Sequence, residues 1–130
     1  MAITVVRLGT ARLEGEGVRI GTVRRPPRGV SKSDFASRDF FDVWMPMLAP
    51  SEPVVTAGRH VTGDKAWEAF VRRYRAEMKA PDASRLLDLL AALSHGSHFS
   101  VGCYCEHEQR CHRSVLRDLL VERGARLAAG

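Results

Sequence analysis

Along the chain the spacing of apolar positions changes three times. Ile3–Leu8 is β-branched and apolar, and Val18–Val23 sets Val18, Ile20 and Val23 around Arg19. Both read as strands, joined across the Gly/Glu turn Glu14-Gly15-Glu16-Gly17. Arg24–Lys32 holds two prolines and a glycine, which leaves a loop. Beyond it Asp34 or Ser37 opens a short helical turn carrying Phe40, Phe41 and Trp44, and Pro46 and Pro50 break whatever follows.

The period then becomes helical. Over Asp64–Lys79 the residues Trp67, Phe70, Val71, Tyr74 and Met78 share one face, Glu68, Arg72, Arg73, Arg75 and Glu77 cover much of the rest, and Pro81 ends the helix. A second helix follows Asp82 or Ser84, with Leu86, Leu87, Leu89, Leu90 and Leu93 inward and Gly96 as its stop. His98–Cys105 alternates: Phe99, Val101, Cys103 and Cys105 point to one side, and Ser100, Gly102 and Tyr104 to the other. A charged loop, Glu106–Arg110, leads to a last helix that starts near Cys111, buries Val115, Leu116, Leu119 and Leu120, and closes at Gly124. Strand, tight loop and helix form the half-unit of open parallel sheets, whose ligands bind beyond the carboxyl ends of the strands. The expected fold is one α/β domain over residues 1–130, a small open parallel or mixed sheet flanked by helices, Rossmann-like in three layers.

Composition narrows the class. Hydrophobic residues at 45% and charged residues at 27% permit a core and argue against disorder. The uncharged run Val43–Ser51 falls far short of the roughly 20 residues a bilayer needs and contains two prolines. The first residues, Met1-Ala2-Ile3-Thr4-Val5-Val6-Arg7, carry no signal-peptide pattern, so a cytoplasmic location is expected, with no membrane partner. The net charge is +5, from 17 Arg and 3 Lys against 15 acidic residues. Either this is compositional bias, in a chain also rich in Ala, Gly and Val, or it serves an anionic partner: a nucleotide, a phosphoester or nucleic acid. All three cysteines fall between Cys103 and Cys111 and cannot all pair. In a reducing compartment such a cluster is metal-binding, catalytic or structural rather than a disulfide framework.

The segment Cys103-Tyr104-Cys105-Glu106-His107-Glu108-Gln109-Arg110-Cys111-His112-Arg113 resembles the signature of domain-of-unknown-function family 488. In that family a strand ends in a cysteine and acidic pair, and Cys-His-Arg opens a helix; Cys105-Glu106 and Cys111-His112-Arg113 match. Pro27-Arg28-Gly29-Val30-Ser31-Lys32, Leu48-Ala49-Pro50-Ser51 and residues 67–77 are similar to the YeaO-like branch, which commonly lacks the Cys-His-Arg pattern. Arg24-Arg25-Pro26-Pro27 stands where that branch has a Leu-Trp-Pro type sequence. The family has no settled activity, so the resemblance implies a fold and a site but no reaction.

Three chemistries suit that site. As an anion site, the unpaired N–H groups and partial positive charge of a helix N-terminus combine with Arg110, His112 and Arg113, and with Arg25 and Arg28 from the loop after an earlier strand. The bland counterpart pairs Arg110 and Arg113 with Glu106 and Glu108 as a solvated charge cluster. As a thiol site, Cys105 or Cys111 is the nucleophile, with His112 or Glu106 as proton-transfer partner. Cys105 and Arg110 bear a faint likeness to the cysteine loops of sulfur transferases, but position 111 is Cys, so the Cys-x5-Arg spacing of cysteine phosphatases is not met. Cys103, deeper in the strand, is most simply a small buried thiol. As a metal site, Cys103, Cys105, His107, Cys111 and His112 offer soft ligands for zinc, although Cys-x-Cys on a strand is not a zinc knuckle.

Elsewhere, His95 is expected to meet a helix C-terminus, and His60 and His98 suggest no role. The Trp67/Phe70/Tyr74 stripe reads as core, and Arg72, Arg73 and Arg75 as a solvated face. The reading that follows is an anionic-ligand site at Cys105–Arg113, possible thiol catalysis included. The alternatives are a non-catalytic module for nucleotides or nucleic acid, or a zinc site.

Overall fold

The computed structural model describes residues 1–59 and 63–128; His60 lies outside them. Among these residues are four strands, β1 (Ile3–Arg7), β2 (Val18–Gly21), β3 (Val43–Trp44) and β4 (Phe99–Cys103). Four helices accompany them: α1 (Glu52–Arg59), α2 (Gly63–Glu77), α3 (Pro81–Leu93) and α4 (His112–Glu122). The strands form one open parallel sheet in the order β1-β4-β2-β3. The last strand in sequence thus lies between the first two, and β1 and β2 do not pair across their Gly/Glu turn.

That order explains the composition of β4. A strand flanked by parallel neighbours is covered on both faces, and all five of its residues are buried. On one face Phe99 and Val101 join Ile3 and Ile20 in a core to which all four helices contribute, among them Val54, Phe70, Leu87 and Leu116. Fully burying a side chain of this kind contributes roughly 1.5–3 kcal/mol. Tyr74 is wholly buried in the same core and donates its hydroxyl to the Leu48 carbonyl at 2.6 Å, so its polar tip is satisfied.

The opposite face is closed by the turns before β2 and β3. Gly17, at φ +81°, brings the connection from β1 to β2 across the start of β4; a Cβ there would lie 2.1 Å from the His98 carbonyl oxygen. At Gly21 a Cβ would sit 2.3 Å from the Phe41 ring, so the missing side chain makes room for that ring. Under this cover lies a charged pair. Arg19, fully buried, forks onto Glu16 at 2.7 and 2.9 Å and donates to the Thr10 and Asp39 carbonyls, both at 2.8 Å. Ser100 and the Leu13 amide donate to the same carboxylate.

Two local expectations change. The segment carrying Trp44 is an edge strand, not a helical turn, because the Asp42 and Met45 amides donate to the Arg19 and Gly21 carbonyls. α1, absent from the periodicity, opens at Ser51-Glu52-Pro53, with the Val55 amide on the Ser51 carbonyl at 2.8 Å. The long helices and the last strand–loop–helix lie where the pattern places them, except that β4 stops at Cys103 and leaves Cys105 in the loop, and a 3-10 turn over Glu108–Arg110 precedes α4. Leu127 adds a parallel bridge to Ile3 at the free side of β1. No helix among the described residues is long and apolar enough to cross a membrane.

Candidate functional site

At the carboxyl ends of β2 and β4 the sheet opens into a cavity of about 670 Å³. Cys103, Tyr104 and Cys105 form one wall as β4 ends, and Val23 to Arg28 form another as the chain leaves β2. Residues of α1 and α2, among them Val55, Trp67 and Phe70, supply the apolar side, and Cys111 and His112 enter from the start of α4. The Tyr104 hydroxyl ties the two loops together by donating to the Arg25 carbonyl at 2.9 Å, and Arg7, at the end of β1, donates through Nε to the Tyr104 carbonyl at 3.2 Å.

The three thiols occupy different environments. Cys103 and Cys111 are buried, and Cys105 is exposed. The sulfurs of Cys103 and Cys111 lie 2.8 Å apart, and all three cysteines line the cavity. The nearby Cys103 and Cys111 thiols, reinforced by the positive field of Arg113, hold the Cys105 thiol well below its ordinary range against the opposing effect of burial. Cys103 moves the other way, raised by its contacts with Cys105 and Cys111 and by burial. Cys111 is drawn down by Cys103, but Cys105 and burial outweigh that and leave it at about 11. The negative charge of the cluster therefore sits on Cys105.

His112 is 9% exposed, and its ring meets Tyr74 edge to face at 5.6 Å. Nε2 lies 2.7 Å from the Thr22 carbonyl oxygen, which only accepts, so Nε2 carries the hydrogen. The lone pair is then on Nδ1, 3.8 Å from the Cys111 sulfur. Burial lowers the His112 pKa to about 4, so the ring is neutral at pH 7. A neutral imidazole fixed in this tautomer accepts a proton from the thiols or ligates a metal.

The arginines divide into two groups. Arg25, Arg28 and Arg110 line the cavity from its exposed rim. Arg25 pairs with Glu52 at 2.7 Å, and Arg110 pairs with Asp64 at 2.7 Å and lies 5.5 Å over the Trp67 ring. Arg113 does not line the cavity: it is 5% exposed, donates through Nη2 to the Cys105 carbonyl, and leaves Nε without a partner. It braces the Cys105 backbone and contributes field rather than a fork for a ligand. The solvated cluster with Glu106 and Glu108 does not form as expected, since Glu108 pairs with Arg117 at 2.8 Å.

Glu106 and His107 are exposed and do not line the cavity. Among the described residues, Cys103, Cys111 and His112 have donor atoms within 4.8 Å of one another, and His107 is not in that group. Two thiolates on one tetrahedral zinc, at about 2.3 Å each, stand about 3.8 Å apart. The 2.8 Å between Cys103 and Cys111 is shorter than that, and it fits the ion poorly.

Arg24 and Thr22 gave no signal as site residues. Arg24 lines the cavity while its guanidinium holds the Ala49 and Pro50 carbonyls at 3.0 Å, fixing the entrance to α1. Thr22 acts through its backbone oxygen, to which sequence patterns are blind. His95 meets a helix end, its Nε2 lying 2.8 Å from the Gly124 carbonyl just past α4.

Compared with known families, residues 3–124 match the model DUF488-N3a, described as the active DUF488-N3 subclade. No curated protein and no solved structure matches the chain.

Proposed function

Because the chain belongs to the family of domain-of-unknown-function 488, a family without an assigned reaction, we propose its function from the site: thiol chemistry on a small anionic substrate, with Cys105 as nucleophile. One observation carries the reading. Cys105 is the exposed thiol of the cluster, and it lines the same cavity as Arg25, Arg28 and Arg110. Arginine forks suit phosphate or carboxylate, so a phosphoester or nucleotide is the substrate class the rim favours. The word "active" in the subclade's description agrees with a catalytic rather than a passive role.

The roles divide by geometry. Cys105 attacks, its charge favoured by the neighbouring thiols and by Arg113. His112 takes or returns a proton at Nδ1. Arg113 keeps the Cys105 loop in register through the carbonyl of that residue. Glu106 is exposed and is not among the residues that line the cavity, and this reading gives it no role.

The test is alkylation with a charged and an uncharged reagent. Iodoacetate is expected to modify Cys105 faster than its own intrinsic reactivity relative to iodoacetamide allows, and Arg28→Ala with Arg110→Ala should erase the preference. Equal reagent preference in all variants, with thiols reacting only near the free-cysteine pKa of about 8.5, overturns the reading. A zinc-to-protein ratio near one in reduced protein favours the second reading, a metal on Cys103, Cys111 and His112, for which the grouping of those donors speaks.

A further inference from the structure

Cys103 and Cys111 do not themselves attack the substrate, yet their sulfurs are only 2.8 Å apart. A disulfide needs about 2.05 Å, so closing the pair requires a shift of under an ångström. Cys103 ends β4, and Cys105 lies two residues further on, past a bend at Tyr104. Cys111 comes from the start of α4, beside the one unprotonated ring nitrogen of the cluster. All three thiols line the cavity, so a reagent that reaches Cys105 reaches the place where the other two meet.

We propose that Cys103 and Cys111 are a redox pair, a dithiol that closes to a disulfide by exchange through Cys105 with a low-molecular-weight anionic disulfide. This deepens the thiol reading above and rests on Cys105 as nucleophile. The Cys105 thiolate attacks one sulfur of the disulfide RS–SR; the S–S bond breaks, one RS⁻ leaves with the bonding pair and is protonated by solvent, and Cys105–S–S–R remains. Cys111 then gives its proton to His112 Nδ1, and its sulfur attacks the Cys105 sulfur. The second RS⁻ leaves and takes that proton. Cys103 next attacks the Cys111 sulfur, Cys105 leaves as thiolate, and the Cys103 proton passes to solvent. In sum one disulfide and two protein thiols become two RSH and the Cys103–Cys111 disulfide. The substrate is reduced, the pair is oxidised, and Cys105 is regenerated. The Cys103 sulfur lies 2.8 Å from that of Cys111, so Cys111 is the sulfur it attacks and Cys105 is the thiolate released.

The experiment treats fully reduced protein with glutathione disulfide, which carries carboxylates, and with uncharged 2-hydroxyethyl disulfide, then maps linkages by non-reducing peptide mass spectrometry. Expected is a Cys103–Cys111 linkage with Cys105 still open to alkylation. Cys105→Ser should slow its formation at least about tenfold, and Cys111→Ser should trap glutathione on Cys105. Cys103→Ala, a small apolar replacement, serves where a buried serine disturbs folding, and should leave a Cys105–Cys111 linkage. Wild-type protein that stops at the Cys105 mixed disulfide, or whose linkage forms equally fast in Cys105→Ser, overturns the relay. A relay that runs without preference for the charged disulfide leaves the pair standing and removes the anionic selectivity of the rim.

Discussion

Glu16 and Arg19 lie under one face of β4, and Cys103, Cys111 and His112 gather at its carboxyl end; both groups are buried, but only the first has its partners complete. The Arg19 guanidinium meets a carboxylate and two carbonyls, and the Glu16 carboxylate also receives Ser100 and the Leu13 amide. Nothing in that network opens to the cavity. In the thiol cluster a lone pair at Nδ1 and an exposed sulfur at Cys105 remain available, and the cavity is where they point. A buried polar group that is satisfied fixes structure, and one left incomplete is available for chemistry.

The comparison breaks first on stability. Glu16→Gln strands a buried guanidinium and is expected to cost about 3–5 kcal/mol in denaturant unfolding, whereas Cys105→Ser, at an exposed position, should change stability by under about 0.5 kcal/mol. Similar losses from both would mean that the thiol cluster is structural.

Acid separates the two regions next. His112, held neutral with a pKa of about 4, takes no proton in the folded state where the unfolded chain takes one below about 6.5. Stability is therefore lost as pH falls from about 6.5 towards 4, by an amount on the order of 3 kcal/mol. At Glu16, burial pushes the pKa up, but hydrogen bonds from Arg19, Ser100 and Leu13 outweigh it and hold it at about 2. Its contribution is complete above the unfolded value of about 4.5 and disappears on further acidification towards 2. Unfolding followed against pH should show both legs, and His112→Gln should remove only the upper one.

Thiol reactivity tests the charge on Cys105 directly. Its alkylation rate should stay flat well below the pH at which a free thiol ionises, and Cys105→Ser should abolish that fast phase. A rate that rises only through the usual thiol range would place the charge elsewhere. The smallest effect belongs to the rim: Arg28→Ala should weaken protection of Cys105 by phosphate about twofold to fivefold, as expected for one exposed ion contact, and the loss should shrink with added salt.

Periodicity was enough for α2, where Trp67, Phe70 and Tyr74 recur at helical spacing, and for the strand–loop–helix around Cys103–Arg113. Those signals are local, because each repeats within a few turns of its own element. Arg19 shows where local signals end. A charge between Val18 and Ile20 reads as the solvent-facing position of a strand, and its burial depends on Glu16 in the preceding turn and Ser100 some eighty residues later. The sheet order is equally non-local, since nothing near β1 or β2 announces that β4 separates them. At the site, Cys105, Arg25, Arg28 and Arg110 come together around one cavity. Arg113 is a donor to backbone, though, and Glu106 is exposed outside the cavity lining, distinctions that a motif does not carry.

The hydrogen bond from His112 to the Thr22 carbonyl has one more consequence. With one ring nitrogen committed to a backbone oxygen, the imidazole is a dead end for protons rather than a wire: what enters at Nδ1 must leave at Nδ1. Proton traffic then runs between thiols and cavity and never through the helix-side interior. The Nε2 hydrogen, shut away at the end of that path, should outlast the other imidazole protons of the chain in exchange with deuterated solvent.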